Sequence, residues 1–203
     1  MYTTFLVVDD FIDNAEALRQ YALTLDYPPQ EGLFPGRNSL QWINVEALAQ
    51  TVSSIVGEAL VPAPPPESHA KTRLTLAADK GRGWVHVDKS HWSGILYLSA
   101  PEDCRGGTEF FRHKATGLDH FPFSQEQLER CGFATHAEAH RKLIDEDGTD
   151  RNAWEPLMNV PMRFNRLLLL RPWLFHTAGP GFGDRPENGR LVYLMFFNQP
   201  PQG

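Results

Sequence analysis

The sequence has little cysteine, no block of basic residues and no long apolar run. Its two cysteines, Cys104 and Cys131, exclude a disulfide framework and a zinc-knuckle spacing, so both are expected to be reduced thiols. Lys and Arg number 19 against 25 Asp and Glu, and this formal net charge of -6 argues against nucleic acid or an anionic membrane as a partner. No stretch reaches the roughly 18 apolar residues of a membrane span. The first residues also lack a signal-peptide pattern, so a cytoplasmic location is expected.

The chain is expected to form a single domain over residues 1–203, mainly β with flanking helices. Its 41% hydrophobic and 22% charged residues fit an ordinary globular composition. Helical periodicity in residues 1–66 predicts an N-terminal helical flank, whereas short alternating segments in 70–112 and 160–198 predict the strands of a sandwich or barrel core. A helical pattern over about residues 113–160 predicts an insertion between the two parts of the core. Such an insertion is either a lid over a site or a surface elaboration.

A histidine and a carboxylate two residues apart point to a metal site. His86 lies in a predicted strand at 84–87 and Asp88 follows it directly, and residues two apart on a strand project from the same face. With one distant histidine, such a pair makes the facial triad that holds non-heme Fe(II) and leaves positions open for substrate, cosubstrate and dioxygen. A second His-x-Glu at 136–138 lies in a helical pattern, where residues two apart do not share a face. The strand context therefore favours the first pair.

Several ordered motifs follow that pair. They are GILYLS (94–99), GGTEFF (106–111), LFH (174–176) and GRLVYLMFF (189–197). This succession resembles the double-stranded β-helix of Fe(II)/2-oxoglutarate-dependent dioxygenases, particularly the prolyl-hydroxylase-like branch. The resemblance covers roughly residues 70–112 and 160–198 and implies a jelly-roll, cupin-like core.

The resemblance also implies the site. It makes His86, Asp88 and His176 the iron ligands and the catalytic centre, with Fe(II) as cofactor, 2-oxoglutarate as cosubstrate and O2 as oxidant. Arg190 matches the basic residue that pairs with the far carboxylate of 2-oxoglutarate, and Tyr97 matches the tyrosine that assists at the same carboxylate. Related halogenases lack the carboxylate ligand, so the presence of Asp88 favours hydroxylation over halogenation.

Two arginines compete for the cosubstrate. Arg190 precedes the apolar run 191–195 and is expected at the mouth of a buried strand, where an unpaired charge would be costly and an anion is its natural partner. Arg185 lies closer to His176 in the sequence, within a loop rich in glycine and proline. We expect Arg185 on an exposed loop tip and prefer Arg190, with Arg185 as the alternative.

The expected function is hydroxylation of an unactivated C–H bond, with release of succinate and CO2. The substrate class is an amino acid, a peptide or protein side chain, or a small metabolite. Two other classes stay open. A cupin-like metalloenzyme would keep the metal triad without using 2-oxoglutarate, and a non-catalytic β-sandwich binding module would hold His86 and Asp88 as an ordinary hydrogen-bonded pair. The oligomeric state does not follow from the sequence.

Overall fold

Antiparallel β-structure dominates the computed structural model, which describes residues 3–30, 32 and 34–201. The strands of these residues are, in chain order, β1 (Phe5–Val8), β2 (Arg37–Asn38), β3 (Val61–Pro62), β4 (Thr72–Thr75), β5 (Trp92–Tyr97), β6 (Gly107–His113), β7 (Trp154–Pro161), β8 (Leu167–Leu170), β9 (His176–Thr177) and β10 (Arg190–Asn198). A larger sheet has the order β1-β8-β5-β10-β4-β2, with β3 also paired to β10. A smaller sheet has the order β7-β6-β9.

The larger sheet is the middle layer of the molecule, as strand β8 illustrates. Its four leucines are buried on both faces, which explains a continuous apolar run in place of alternation. Leu167 and Leu169 belong to the core beneath the N-terminal helices, whereas Leu168 and Leu170 belong to the core between the two sheets. The cavity described below lies on this second side.

Two helices cover the outer face of the larger sheet. They are α1 (Ala15–Leu23) and α2 (Leu48–Val56), whose buried faces join the same core as β5, β8 and β10. Each has nine residues. In the described part of the chain, no helix is both long and apolar enough to cross a membrane.

Short helical turns form the region between β6 and β7. In chain order they are α3 (Gln125–Arg130), α4 (His136–His140), a π-helical segment (Arg141–Glu146) and two 3-10 turns (Asp147–Thr149 and Arg151–Ala153). Their apolar side chains, among them Leu128 and Leu143, pack with Phe111 and Phe175 in a second core. The turn at Gly148 therefore sits close to the segment that precedes His86.

Two predicted element assignments differ from the structure. Residues 84–87 do not form a strand. They make one isolated antiparallel bridge, between His86 and His176, and the amides of Trp84 and Val85 bond instead to the carbonyl of Gly148. Strand β7 begins at Trp154, inside the range expected to be the helical insertion, and pairs with β6 along its length.

Candidate active site

The three predicted metal ligands lie together. The ligand atoms of His86, Asp88 and His176 are all within 4.8 Å of one another. His86 Nε2 is 3.7 Å from one carboxylate oxygen of Asp88, and His176 Nε2 is 3.6 Å from the other. Among the described residues this is the one group of three or more His, Cys, Asp or Glu side chains that could hold a metal ion. Two imidazoles and one carboxylate suit a divalent transition metal such as iron.

Backbone pairing brings these distant residues together. His86 and His176 exchange both amide-to-carbonyl hydrogen bonds, at 3.0 and 3.1 Å. His176 lies in β9 and pairs with Phe110 of β6, so its position is set by the smaller sheet. The amide of Asp88 donates to the carbonyl of Pro172 at 2.9 Å, which places the carboxylate beside both rings.

Outer hydrogen bonds orient the ligands, the longest being that of His86, whose Nδ1 lies 3.4 Å from the carbonyl of Trp84. His176 Nδ1 donates to the carbonyl of Leu174 at 2.7 Å, which leaves its Nε2 lone pair for a metal. The hydroxyl of Ser93 donates to Asp88 Oδ2 at 2.6 Å. Sequence reasoning missed Ser93. Nothing in the sequence indicates that a serine of β5 bonds to Asp88 until the fold brings the two side chains together. Ligand orientation by outer hydrogen bonds of this kind is typical of metal centres.

The local electrostatics favour the ligating protonation states of His86 and Asp88 and draw a positive charge to His176. Burial, and next the charge of His176, lower the pKa of His86 to about 4, so this imidazole is neutral at neutral pH. Burial opposes ionisation of Asp88, but the hydrogen bond and charge of His176, with the charge of His86, lower its pKa to about 2. Burial disfavours a charged His176, yet Asp88 more than compensates, so the pKa of His176 is raised. A cation between these groups would take over the role of that proton.

The triad opens into a cavity of about 840 Å³, a size that suits a small molecule with a cosubstrate. Its walls combine strands of the larger sheet with loops from elsewhere in the chain. Thr149 and Arg151 bring the insertion to this wall, and Arg151 lies over the ring of Trp84 at 5.1 Å.

Arg190 lies in the same cavity without a counter-charge. It begins β10 opposite Thr75 and is only 2% exposed. Within the described residues, its Nε and Nη2 atoms have no hydrogen-bond partner. Burial lowers the pKa of Arg190, which shows that the charged guanidinium is poorly solvated there. Buried polar groups are almost always satisfied in native proteins, so this side chain indicates an anionic ligand.

Arg73, also in the cavity wall, differs from Arg190 in being fully engaged. Its guanidinium donates to the carbonyls of Phe34, Pro35 and Gly36 and to the side chain of Asn38. Burial, and next the charge of Arg190, lower the pKa of Arg73 to about 10. Two arginines therefore share this cavity, and one of them has donors free.

A family model described as "Family of unknown function (DUF6445)" matches residues 2–197. The chain belongs to this family. No curated protein matches the chain.

Solved structures resemble this DUF6445 protein in fold. HygX from Streptomyces hygroscopicus, with nickel, 2-oxoglutarate and hygromycin B bound, is 16% identical with a TM-score of 0.55, over 97% of this chain and 83% of its own. The non-heme alpha-ketoglutarate-dependent carbocyclase SnoK from nogalamycin biosynthesis is 9% identical with a TM-score of 0.53, over 97% and 79%. AviO1 from Streptomyces viridochromogenes Tue57 is 15% identical with a TM-score of 0.51, over 98% and 93%. These likenesses confirm the predicted double-stranded β-helix; the prolyl-hydroxylase-like branch stays a prediction.

The two remaining predicted site residues, Arg185 and Tyr97, do not line the cavity. Arg185 is exposed over 66% of its side chain, lies 3.8 Å from the carboxylates of Asp184 and Glu187, and does not line the cavity. Tyr97 is buried behind the wall, and its hydroxyl is 2.7 Å from the Thr108 hydroxyl. Tyr97 is not among the described cavity-lining residues.

Proposed function

We propose that this protein is an Fe(II)- and 2-oxoglutarate-dependent oxygenase that hydroxylates a C–H bond of a small molecule or a peptide side chain. The observation that carries the proposal is the buried, unpaired guanidinium of Arg190 in the cavity that also contains the triad. A metal group alone would fit several enzyme classes. A metal group facing an orphan buried cation fits one whose cosubstrate is a dicarboxylate. HygX, which shares the fold, has been solved with nickel and 2-oxoglutarate bound.

In this proposal His86, Asp88 and His176 hold the iron. Three protein ligands of this kind would leave coordination positions open for a cosubstrate and O2. When bound, Fe(II) and 2-oxoglutarate supply the oxidation of a substrate C–H bond by O2, with 2-oxoglutarate converted to succinate and CO2 and one oxygen atom entering the product. Ser93 keeps the Asp88 carboxylate oriented, so the protein contributes positioning rather than acid-base chemistry.

Arg190 in this proposal binds the far carboxylate of 2-oxoglutarate through its free nitrogen atoms. Tyr97 lies behind the wall, with its hydroxyl 2.7 Å from the hydroxyl of Thr108. Either hydroxyl can be the donor, and in this proposal Thr108 donates, so that Tyr97 keeps its own proton for the same carboxylate. Arg73 is committed to loop carbonyls and is not available for this role.

The proposal includes a single domain whose insertion, at about residues 113–160, contributes to the site. Thr149 and Arg151 of the insertion line the cavity, which supports the interpretation of the insertion as part of the site rather than as a surface elaboration. The wall carries both charged and apolar side chains, which fits a small-molecule or peptide substrate.

The test is an anaerobic titration of the Fe(II)-loaded protein with 2-oxoglutarate, followed by the weak visible charge-transfer band of the chelated complex. The wild type and Arg185→Met are expected to develop the band. Arg190→Met is expected to need at least a hundredfold more 2-oxoglutarate while binding Fe(II) normally, and His86→Ala is expected to show no band.

Any other result would favour one of the alternative interpretations. Bound iron without a band in the wild type would favour a cupin-like metalloenzyme that does not use 2-oxoglutarate. Failure to bind iron would leave a non-catalytic β-sandwich module. A normal band in Arg190→Met with a weakened one in Arg185→Met would transfer the cosubstrate role to Arg185.

A further inference from the structure

Residues 34–38, here called the wall loop, reach the metal ligands from a distant part of the chain. The ring of Phe34 lies against His86, with centroids 4.3 Å apart and planes tilted by 46°. Phe34, Pro35 and Asn38 all line the cavity. The wall loop therefore forms the side of the cavity next to one proposed iron ligand.

Arg73 fixes the wall loop from inside the cavity. Its Nη2 donates to the carbonyls of Phe34 at 3.0 Å and Pro35 at 2.7 Å, and its Nη1 donates to Asn38 Oδ1 at 2.7 Å. Nε also donates to Pro35, at 3.1 Å. A planar guanidinium can serve several carbonyls at once, whereas a lysine ammonium is a point charge on a flexible stem. The anchor therefore depends on arginine specifically.

Two further contacts hold the loop in place, besides the pairing of its last two residues, which form β2, with β4. Gly36 has a φ of 94° and lies so close to Thr75 and the carbonyl of Leu74 that a Cβ would not fit. The side chain of Asn38 donates to the hydroxyl of Ser68 at 2.8 Å. The loop is thus a built wall, although it is rich in proline and glycine.

Other apolar side chains line the cavity together with Phe34. They belong to β5, β10 and the triad segment: Val87, Ile95, Leu194 and Phe196. Arg190, with its free nitrogens, lines the same cavity. The cavity therefore offers a partner for an anion at Arg190 and, at Phe34, an apolar contact next to a metal ligand.

We propose that Phe34 is a specificity-determining residue that packs on an apolar carbon segment of the substrate, and that Arg73 is the positioning residue that holds Phe34 there. The inference rests on the proposed function and names the substrate class: a molecule that presents a saturated, non-hydroxylated carbon segment beside the iron. Charged or hydroxylated parts of the same molecule would lie toward the mouth, near Arg82 and Arg151.

The anchor is tested by hydrogen exchange in the Zn(II)-loaded protein without 2-oxoglutarate. Arg73→Lys is expected to speed exchange of peptides covering residues 34–38 at least tenfold, while exchange in β10 and the thermal unfolding midpoint change little. Arg82→Lys is the matched control, since Arg82 is an exposed cation of the same cavity. Unchanged exchange of the wall loop in Arg73→Lys would overturn the positioning role.

The specificity role is tested with two neutral six-carbon amides, hexanamide and gluconamide, added to the Zn(II)-loaded protein with and without 2-oxoglutarate and followed by NMR. Hexanamide is expected to bind at least tenfold more tightly than gluconamide, and Phe34→Ala is expected to remove most of that difference. Equal binding of the two amides, or no effect of Phe34→Ala, would overturn the inference.

The two proposals fail separately. Calorimetry first establishes whether 2-oxoglutarate binds to the Zn(II)-loaded protein. Absence of that binding, together with the expected amide preference, would reject the proposed function and keep the apolar wall. Normal 2-oxoglutarate binding with no amide preference would do the reverse.

Discussion

The cavity has two polar parts, here called the metal end (His86, Asp88 and His176) and the arginine end (Arg190). They differ in how their polar groups are satisfied. At the metal end every ligand has an outer partner: Asp88 accepts from Ser93, His176 donates to the carbonyl of Leu174, and His86 Nδ1 lies 3.4 Å from the carbonyl of Trp84. At the other end Arg190 is equally buried, yet two of its nitrogen atoms have no hydrogen-bond partner in the described residues. One end is fully built and needs a cation, whereas the other is built only in part and needs an anion.

Burial alone therefore does not identify a binding residue. Arg73 and Arg190 share one cavity and are two residues out of register on adjacent strands. Arg73 spends its donors on the wall loop, so it is structural, whereas Arg190 has donors to spare. Two unsatisfied nitrogen atoms on one buried guanidinium that lines a cavity are what indicates a ligand.

The largest effect is expected at the metal end. Asp88→Ala removes the carboxylate that faces both imidazoles and should weaken Co(II) or Fe(II) binding more than about a hundredfold, since loss of an outer partner alone costs about 10–100-fold. Metal affinity is measured by the visible spectrum of the Co(II) protein. His136→Ala, in the other His-x-Glu, is the control and should bind metal normally. Near-normal metal affinity in Asp88→Ala would show that Asp88 is not a metal ligand.

Arg190→Met should stabilise the ligand-free protein. Removing an unsatisfied buried cation relieves a penalty of roughly 1–3 kcal/mol, so the free energy of unfolding in urea should rise by about that amount. Arg185→Met, an exposed site, should change it by less than about 0.5 kcal/mol. A clear loss of stability in Arg190→Met would mean that the guanidinium is satisfied in the free protein, and the contrast between the two ends would disappear.

Ser93→Ala should show that the metal end is completed by its outer partner. Without the hydroxyl, Asp88 loses a 2.6 Å hydrogen bond and its fixed orientation, so metal affinity should fall by about tenfold. Ser90→Ala is a close control, because Ser90 bonds to Ser93 and not to the carboxylate. Equal effects of the two substitutions on a Co(II) titration would argue for general packing rather than ligand orientation.

Sequence patterns predict the strands well where burial alternates or is continuous. The apolar run at 190–197 predicts β10 to within one residue, and the leucines of β8 predict a buried strand. Strand β7 escapes prediction because it contains prolines at 156 and 161, which are tolerated in an edge strand but mask its pattern. The predicted strand at 84–87 fails because its amides bond to a turn of the insertion.

The site divides in the same way. His86, Asp88, His176 and Arg190 are predictable because an ordered series of motifs carries them. The wall loop and its anchor Arg73 are not, since their contact depends on how a loop and a strand far apart in the sequence meet. Spacing rules describe neighbours on one element, whereas such a wall is made by tertiary packing.

The smallest expected effect concerns the insertion, which supports the metal end and not the arginine end. His113 Nε2 lies 3.0 Å from Asp147, and Asp147 also bonds to Lys142. Burial lowers the pKa of His113 below its ordinary 6.5; Asp147 opposes this shift and Lys142 adds to it. His113 in contact with Asp147 is thus neutral at neutral pH, and this arrangement loses relative stability as the pH falls through 6.5.

Lowering the pH should therefore loosen the segment that carries His86. The amides of Trp84 and Val85 bond to the carbonyl of Gly148, next to Asp147, so their opening should become more frequent by up to about tenfold between pH 7.5 and 5.5. Hydrogen exchange of the Zn(II)-loaded protein, corrected for intrinsic rates, measures this opening. Lowering the pH should leave the exchange rates of β10 unchanged. The faster exchange at residues 84–85 should persist in His140→Gln and disappear in His113→Asn. Equal loosening of β10 would show that acid weakens the whole protein, and the two ends would then not differ in their dependence on the insertion.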